Sequence, residues 1–373
     1  MATLEHVRVL RLCVPGAALV VVVLAAVMGG RQSSSAGAGE LRPPKPLDAR
    51  HVSRVAARAQ SPRLGSGNPV TLAFAGDVHF ESPIRQELDA DPRQVLRSIR
   101  PVLGDADLTV VNLETAITNR GAAQSKAYTF RAPATAFAAL KAGGVDAASM
   151  ANNHGMDFGL TGMRDSIAAA RKAGFPVIGI GLNAEQAYRP YRAMIRGQRI
   201  AVLAATQVLD DHLISAWSAD PNGPGLASAK DVPRLLRAVR ETRKTSDTVV
   251  VFLHWGLELA SCPTSDQTTL ARQLVAAGAD IVVGAHAHRL LGTGRMGKAL
   301  VSYGLGNFVW YSARPETVAT GVLVVSATGR RINGYRFEPA RIVSGTPRPL
   351  SGSDRRSALG SWHGLRGCTG LRR

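Results

Sequence analysis

Five apolar runs in this chain end in polar residues of one restricted kind: His, Asp, Glu or Asn. They are LAFAGDVH (Leu72–His79), TVVNLET (Thr109–Thr115), ASMANNHGMD (Ala148–Asp157), VVVFLHWG (Val249–Gly256) and DIVVGAHAH (Asp280–His288). Near-continuous apolar runs of this length read as strands buried on both faces, which is the pattern of parallel sheets covered by helices. Ionisable groups at the ends of buried strands are costly unless they are paired or bound to a metal. Packing alone gives no reason to repeat that cost five times. Such a chain is therefore constrained to a layered α/β fold that delivers these side chains to one rim.

The intervening segments fit that frame. Strands are expected at Val70–Ala75, Leu108–Asn112, Val145–Met150, Pro176–Ile180, Thr248–Leu253 and Asp280–Val283. Helical spacing appears at Pro92–Leu103, Ala134–Ala142, Thr161–Ala173, Asp231–Arg243 and Ser265–Ala277, with Gly174 and Gly278 as stops. Tyr191–Ile195 and Arg199–Ala205 read as a hairpin around Gly197-Gln198. The last third changes to successive strands (Ala299–Tyr303, Val318–Ala327, Ile332–Pro339) with no helix between them. Alternating βα units followed by a meander imply an α/β fold with mixed sheets and helices outside. In open α/β sheets ligands gather at the carboxyl ends of parallel strands, where the polar residues lie.

Outside this core the composition shifts. Residues 12–30 carry no charge and follow Arg8 and Arg11, so they read as a signal anchor or a cleavable signal peptide, and both export the rest of the chain. Residues 31–68 are rich in Ser, Gly, Pro and Arg and read as a flexible basic linker. A domain is expected over 69–340 and an irregular basic tail over 341–373. Much of the net charge of +18 sits in these flanks: seven Arg/Lys against Glu40 and Asp48 in 31–63, and seven Arg against Asp354 in 341–373. That excess suits a polyanion or an anionic membrane surface. Nucleic acid is not expected, since no DNA- or RNA-binding motif appears. Of three cysteines, Cys13 lies in the apolar run; Cys262 and Cys368 either pair or stay free.

Asp77 and His79, two residues apart in extended chain, point the same way and can reach one ion. Asn112 and Glu114 have the same relation. Asn152-Asn153-His154 places two amides and an imidazole where they have little packing value, and His254 ends a five-residue apolar run. His286 and His288, after Gly284, form a ready chelate. Neutral His with Asp, Glu and Asn suits Mn, Fe or Zn. The number of donors exceeds one tetrahedral ion, so two divalent ions bridged by Glu114 are the expected count. Asn112 and Asn307, the latter in GLGNF, are expected to frame the pocket; GLGNF lacks the Lys of a phosphate loop. Asp210-Asp211-His212 lies in a polar loop and is set aside, and neither a Ser nor a Cys nucleophile motif is present.

The ordered set GDVH, NLE, ANNH, HWG, GAHAH and YGLGNF, over residues 70–312, resembles the CapA-type poly-γ-glutamate capsule-biosynthesis family, a branch of the calcineurin-like metallophosphatase superfamily. The resemblance implies a four-layer α/β/β/α sandwich with two mixed β-sheets and a metal centre at the sheet edges. It implies Asp77, His79 and His288 as first-metal ligands, Glu114 as the bridge, Asn153, His254 and His286 as second-metal ligands, and His154 as the catalytic histidine. Two departures stand out. Glu114 replaces the usual bridging Asp, and Gly155 stands where a carboxylate normally follows the Asn-His pair, with Asp157 three residues past His154. The implied function is an exported, membrane-tethered, metal-dependent hydrolase or transferase on an anionic polymer such as poly-γ-glutamate, working with membrane-bound biosynthetic partners. A phosphoesterase on nucleotides or lipid phosphates and a non-catalytic polymer-binding subunit are the alternatives.

Overall fold

The computed structural model describes residues 65–311 and 314–373. The apolar run at 12–30 and most of the basic linker lie outside them; among the described residues no helix is long and apolar enough to cross a membrane. In chain order the main strands are β1 (Val70–Val78), β2 (Leu108–Leu113), β3 (Ala147–Ser149), β4 (Val177–Ile178), β5 (Tyr191–Ile195), β6 (Gln198–Thr206) and β7 (Thr248–His254). They continue as β8 (Ile281–Ala285), β9 (Thr293–Met296), β10 (Ala299–Ser302), β11 (Asn307–Val309), β12 (Ala319–Thr328), β13 (Arg331–Val343) and β14 (Thr346–Pro349). The main helices are α1 (Ile84–Ala90), α2 (Thr135–Ala142), α3 (Gly159–Ala173), α4 (Val232–Lys244), α5 (Ser265–Ala277) and α6 (Gly352–Gly364).

Two mixed sheets form. The first runs β14-β13-β12-β1-β2-β3-β4 with β11 also on β1; the second runs β9-β10-β8-β7-β6-β5. β1, β2, β3 and β4 are parallel, as are β6, β7, β8 and β10, so the carboxyl ends within each set gather together. Strand alternation then divides the apolar side chains between layers. Phe74 and Val110 of the first sheet meet Val202, Phe252 and Val283 of the second between the sheets. Ala73 and Val111 face Leu88, Phe137, Leu140 and Met163 of the helices on one outer side. Val251, Leu253 and Val282 face Leu235, Val239, Leu270 and Leu274 on the other. The result is the α/β/β/α sandwich that the resemblance implied.

Local chemistry explains the element ends. Helix α5 starts on a capping box, with Thr264 Oγ1 accepting from Gln267 N–H and the Gln267 side chain accepting from Thr264 N–H, and it stops at Gly278 in the left-handed region. The β5–β6 hairpin turns one residue earlier than expected, on Arg196 and Gly197, because both central residues of its turn adopt positive φ. The helix expected over 92–103 is reduced to Arg100–Leu103, since Pro101 has no N–H and is tolerated only in the first turn.

The tail also differs from expectation. Residues 341–373 hold the end of β13, β14 and α6. Helix α6 escapes sequence detection because Trp362 is its one fully buried residue, leaving no apolar stripe to read. Trp362 lies on Phe337 of β13 with the rings nearly parallel and 4.9 Å between centroids. Beyond it, Cys368 forms a disulfide with Cys262, in the segment that follows β7.

Candidate metal centre

Parallel pairing puts Asp77 opposite both Asn112 and Asn307 at the ends of β1, β2 and β11. The β1–β2 register shifts between Phe74 and Asp77, and this bulge re-aims the end of β1. The chain can pass there only because residue 76 is glycine: a Cβ would fall 1.7 Å from the Gly306 carbonyl oxygen. At the end of β8, Gly284 has the same role, since a Cβ would lie 2.1 Å from Trp255 Nε1. His286 and His288 follow with φ of +93° and +55°. Non-glycine residues in this region cost about 1–3 kcal/mol each and concentrate at functional sites.

Two overlapping groups of donors result. Asp77, Glu114 and His254 each offer an atom within 4.8 Å of the others, and so do Glu114, His286 and His288. Glu114 belongs to both. Its Oε2 accepts from Asn112 Nδ2 at 3.2 Å, while Oε1 is buried without a hydrogen-bond partner. His286 Nδ1 is likewise buried and unpartnered. Buried polar atoms are nearly always satisfied, so two orphans on residues of one donor group need an explanation, and a cation supplies it. Asn153 joins the second sheet's donors, its Oδ1 lying 2.8 Å from His254 Nε2.

The remaining expected residues divide. Asn112 and Asn307, expected to frame the pocket, are fully buried and already committed. Asn112 Nδ2 serves Asp77 Oδ1 at 2.9 Å and His254 Nδ1 at 3.1 Å, and its Oδ1 accepts from Asn152 at 3.1 Å. Asn307 Oδ1 pairs with His288 Nδ1 at 2.8 Å. Both therefore hold donors in place through these hydrogen bonds. His79 belongs to neither group. Its ring lies among Phe130, Trp310 and Tyr311, with Nδ1 accepting from Glu81 N–H at 3.0 Å and Nε2 facing Tyr311 N–H at 3.4 Å. These aromatic residues come from irregular segments, and nothing in the Asp-x-His spacing announces them. Asp210, Asp211 and His212 stay on the exposed surface, away from the cluster.

His154 stands beside the donors, Nε2 3.9 Å from Glu114 Oε1. Its Nδ1 lies 2.6 Å from Asp157 Oδ2. Asp157 also accepts from Phe130 N–H at 2.6 Å and pairs with buried Lys126 at 2.7 Å, and Lys126 Nζ donates on to the Asn153 carbonyl. Asp157 thus takes the place left empty by Gly155. The signal available was its i+3 spacing from His154; Lys126, from a distant loop, had none.

Burial, and then the neighbouring Asp77 charge, pushes Glu114 well above the usual carboxylate range. Burial also pushes His254 and His79 well down, lowers His154 against the pull of Asp157, and brings His286 to about 3. His288 is raised: burial opposes its charge, but its hydrogen bond to Asp77 and the charge there outweigh it. The lowered imidazoles are already in the neutral state that ligation requires, whereas Glu114 and His288 would release a proton on binding a cation.

Residues 71–312 match the family described as bacterial capsule synthesis protein PGA_cap. The chain belongs to this family. It is 28% identical over 308 residues to the PGA biosynthesis protein CapA of Bacillus subtilis, covering 79% of this chain and 78% of that protein. It is 27% identical over 291 residues to the capsule biosynthesis protein CapA of Bacillus anthracis, covering 76% and 70%. A probable polyglutamine synthesis accessory protein of Mycobacterium tuberculosis matches over 189 residues at 28% identity, about half of each chain. Among solved structures, a hypothetical protein from Thermus thermophilus superposes with a TM-score of 0.47 at 17% identity, covering 73% of this chain and 100% of that one. A 5'-nucleotidase from Candida albicans gives 0.42 at 10% identity, covering 79% and 56%. The layer order described above stands on this protein's own sheets.

Proposed function

We propose that this protein is an exported metal-dependent hydrolase or transferase acting on an anionic polymer, with poly-γ-glutamate the substrate class suggested by its relatives. One observation carries the reading: two donor groups share Glu114, are drawn from both sheets, and contain two buried polar atoms without partners. That arrangement fits two divalent cations bridged by Glu114, of a kind (Mn, Fe or Zn) that accepts imidazole. When bound, such ions supply Lewis acidity toward a carbonyl or phosphoryl oxygen.

The chain's own residues do the rest. Asp77, Glu114, Asn153, His254, His286 and His288 would hold the ions, and Asn112 and Asn307 fix the rotamers of those donors. With Asp157 Oδ2 accepting from Nδ1, the proton of neutral His154 sits on that nitrogen, and Nε2, on the Glu114 side, is left as an acceptor. From there it takes a proton from the attacking hydroxyl group and returns one to the leaving group.

Export is supported by the charge-free run at 12–30 behind Arg8 and Arg11, and by the Cys262–Cys368 disulfide, which suits an oxidising compartment. Fractionation of cells should recover the protein outside the cytoplasm, held at the membrane if the run is uncleaved.

The test of function pairs elemental analysis of the purified protein with assays on poly-γ-glutamate and on a phosphodiester. The expected result is about two ions per chain and polymer turnover that is lost in Asp77→Ala and His286→Ala. Turnover of the phosphodiester alone would move the assignment to a phosphoesterase. Bound metal with no turnover of either substrate would make the protein a binding subunit.

A further inference from the structure

The folded C-terminal segment builds a second feature, away from the donor cluster. A groove of about 490 Å³ runs between β13 and α6, and it is lined by Arg336, Arg355, His363, Arg366 and Arg373 with no Asp or Glu among its lining residues. Its aromatic floor is Phe337 stacked on Trp362, with Tyr335 beside them. Glu338 pins two of the guanidiniums, accepting from Arg336 Nε at 2.9 Å and Arg355 Nη2 at 2.8 Å. Those side chains nevertheless remain 54% and 41% exposed. Arg336 also lies 3.7 Å from the Asp105 carboxylate. Each guanidinium has five N–H donors, so these two carboxylates leave most of them available. Arg366 is oriented through the Thr293 carbonyl oxygen and the Tyr335 hydroxyl.

A neighbouring cavity of about 420 Å³ shares Phe337 and Trp362 with it, but is lined by Glu316 and Asp354 as well as Arg289, so the unopposed cations are those of the β13–α6 groove.

We propose that the β13–α6 groove is a binding track for an anionic polymer, its guanidiniums taking side-chain carboxylates of poly-γ-glutamate remote from the reacting bond. The identity of the polymer rests on the function proposed above; the preference for a polycarboxylate rests on the groove's charge and its planar donors, which match carboxylates two-pronged. Binding in such a groove must weaken with salt, because its cations face solvent.

The experiment is fluorescence anisotropy of end-labelled poly-γ-glutamate with the purified full chain, with and without EDTA. Arg336→Gln/Arg355→Gln is compared with Arg366→Gln and with His363→Gln, a substitution of an exposed side chain at the edge of Trp362. Arg237→Gln on α4, outside the groove, is the charge control. Expected are salt-sensitive binding unaffected by EDTA, an affinity about tenfold lower in the double variant, a smaller loss in His363→Gln, and none in Arg237→Gln. Equal affinity across all variants would overturn the proposal, as would abolition of binding by EDTA, which would place the polymer on the metal centre alone. Binding of anionic phospholipid vesicles without binding of the polymer would overturn it in favour of a membrane-facing surface. Polymer held in the groove without turnover would leave the track standing and defeat the proposed enzymatic activity, so the two claims fail separately.

Discussion

The parallel strands carry acidic residues at both ends, and the two ends treat them differently. At the amino ends an Asp stands one residue before a strand and accepts from a backbone N–H of the neighbouring strand. Asp107 takes Thr71 N–H at 2.8 Å, Asp146 takes Thr109 at 2.7 Å, Asp247 takes Arg199 at 2.9 Å and Asp280 takes Val249 at 2.9 Å. Three of the four also pair with arginine: Asp107 with Arg196, Asp247 with Arg199, and Asp280 with Arg243 and Arg330. At the carboxyl ends the donors crowd one another, two histidines hold strained backbone, and Glu114 Oε1 and His286 Nδ1 have no partner. Satisfied carboxylates close a fold; unsatisfied ones, assembled at a cost, wait for something. The difference lies in what surrounds the residues, since residue type alone is shared by both ends.

Substitutions at the two ends should separate accordingly. Glu114→Gln should weaken metal binding by more than the 10–100-fold typical of losing an outer-shell partner, while the metal-free protein becomes more heat-stable at neutral pH because folding no longer has to suppress the charge of a buried carboxyl. Titration calorimetry and thermal unfolding with and without metal check both signs, and a stability loss without metal would erase the contrast. Asp280→Ala, at the opposite end, should cost about 3 kcal/mol in chemical denaturation by stranding Arg243, with metal content unchanged. His154→Gln should lower turnover about 100-fold at full metal occupancy, measured by steady-state kinetics.

A pH series sharpens the comparison further. His286 titrates at about 3 in the folded protein against an ordinary 6.5, so the unfolded chain binds the extra proton first. Its contribution is complete above pH 6.5 and declines as pH falls toward 3. Between pH 6.5 and 5 the metal-free protein should lose about 2 kcal/mol through this residue, read as the difference from His286→Gln because the raised Glu114 acts in the opposite direction; the same pH dependence in both proteins would contradict it. The smallest effect is expected for Asp146→Ala, about 1 kcal/mol for an exposed carboxylate with one backbone hydrogen bond and no arginine.

The sandwich and the convergence of donors were legible because parallel strands impose both a repeating apolar run and a common polar end. Asp77, Glu114, His254, His286 and His288 announced themselves by that position. Asp157 did not, because the usual place for its carboxylate is the residue after His154, and here the intervening turn brings an i+3 residue round to the same ring. The aromatic surroundings of His79 were not legible, because Phe130, Trp310 and Tyr311 lie in loops without a period. Helix α6 was missed for a related reason: a helix anchored by one tryptophan and flanked by arginines has the composition of a tail. The four aspartates at the strand starts were visible as residues, but only the register reveals which neighbouring N–H each one receives.

Each donor group draws on both sheets: Asp77 lies near the end of a strand and Glu114 follows a strand of one, while His254, His286 and His288 end or follow strands of the other. An ion seated there is also a clasp across the seam of the sandwich. Stripping it should speed amide exchange at the last residues of β1 and β7 and leave the aspartate-sealed ends unchanged, so that the molecule would gape from its working edge like a hinged shell.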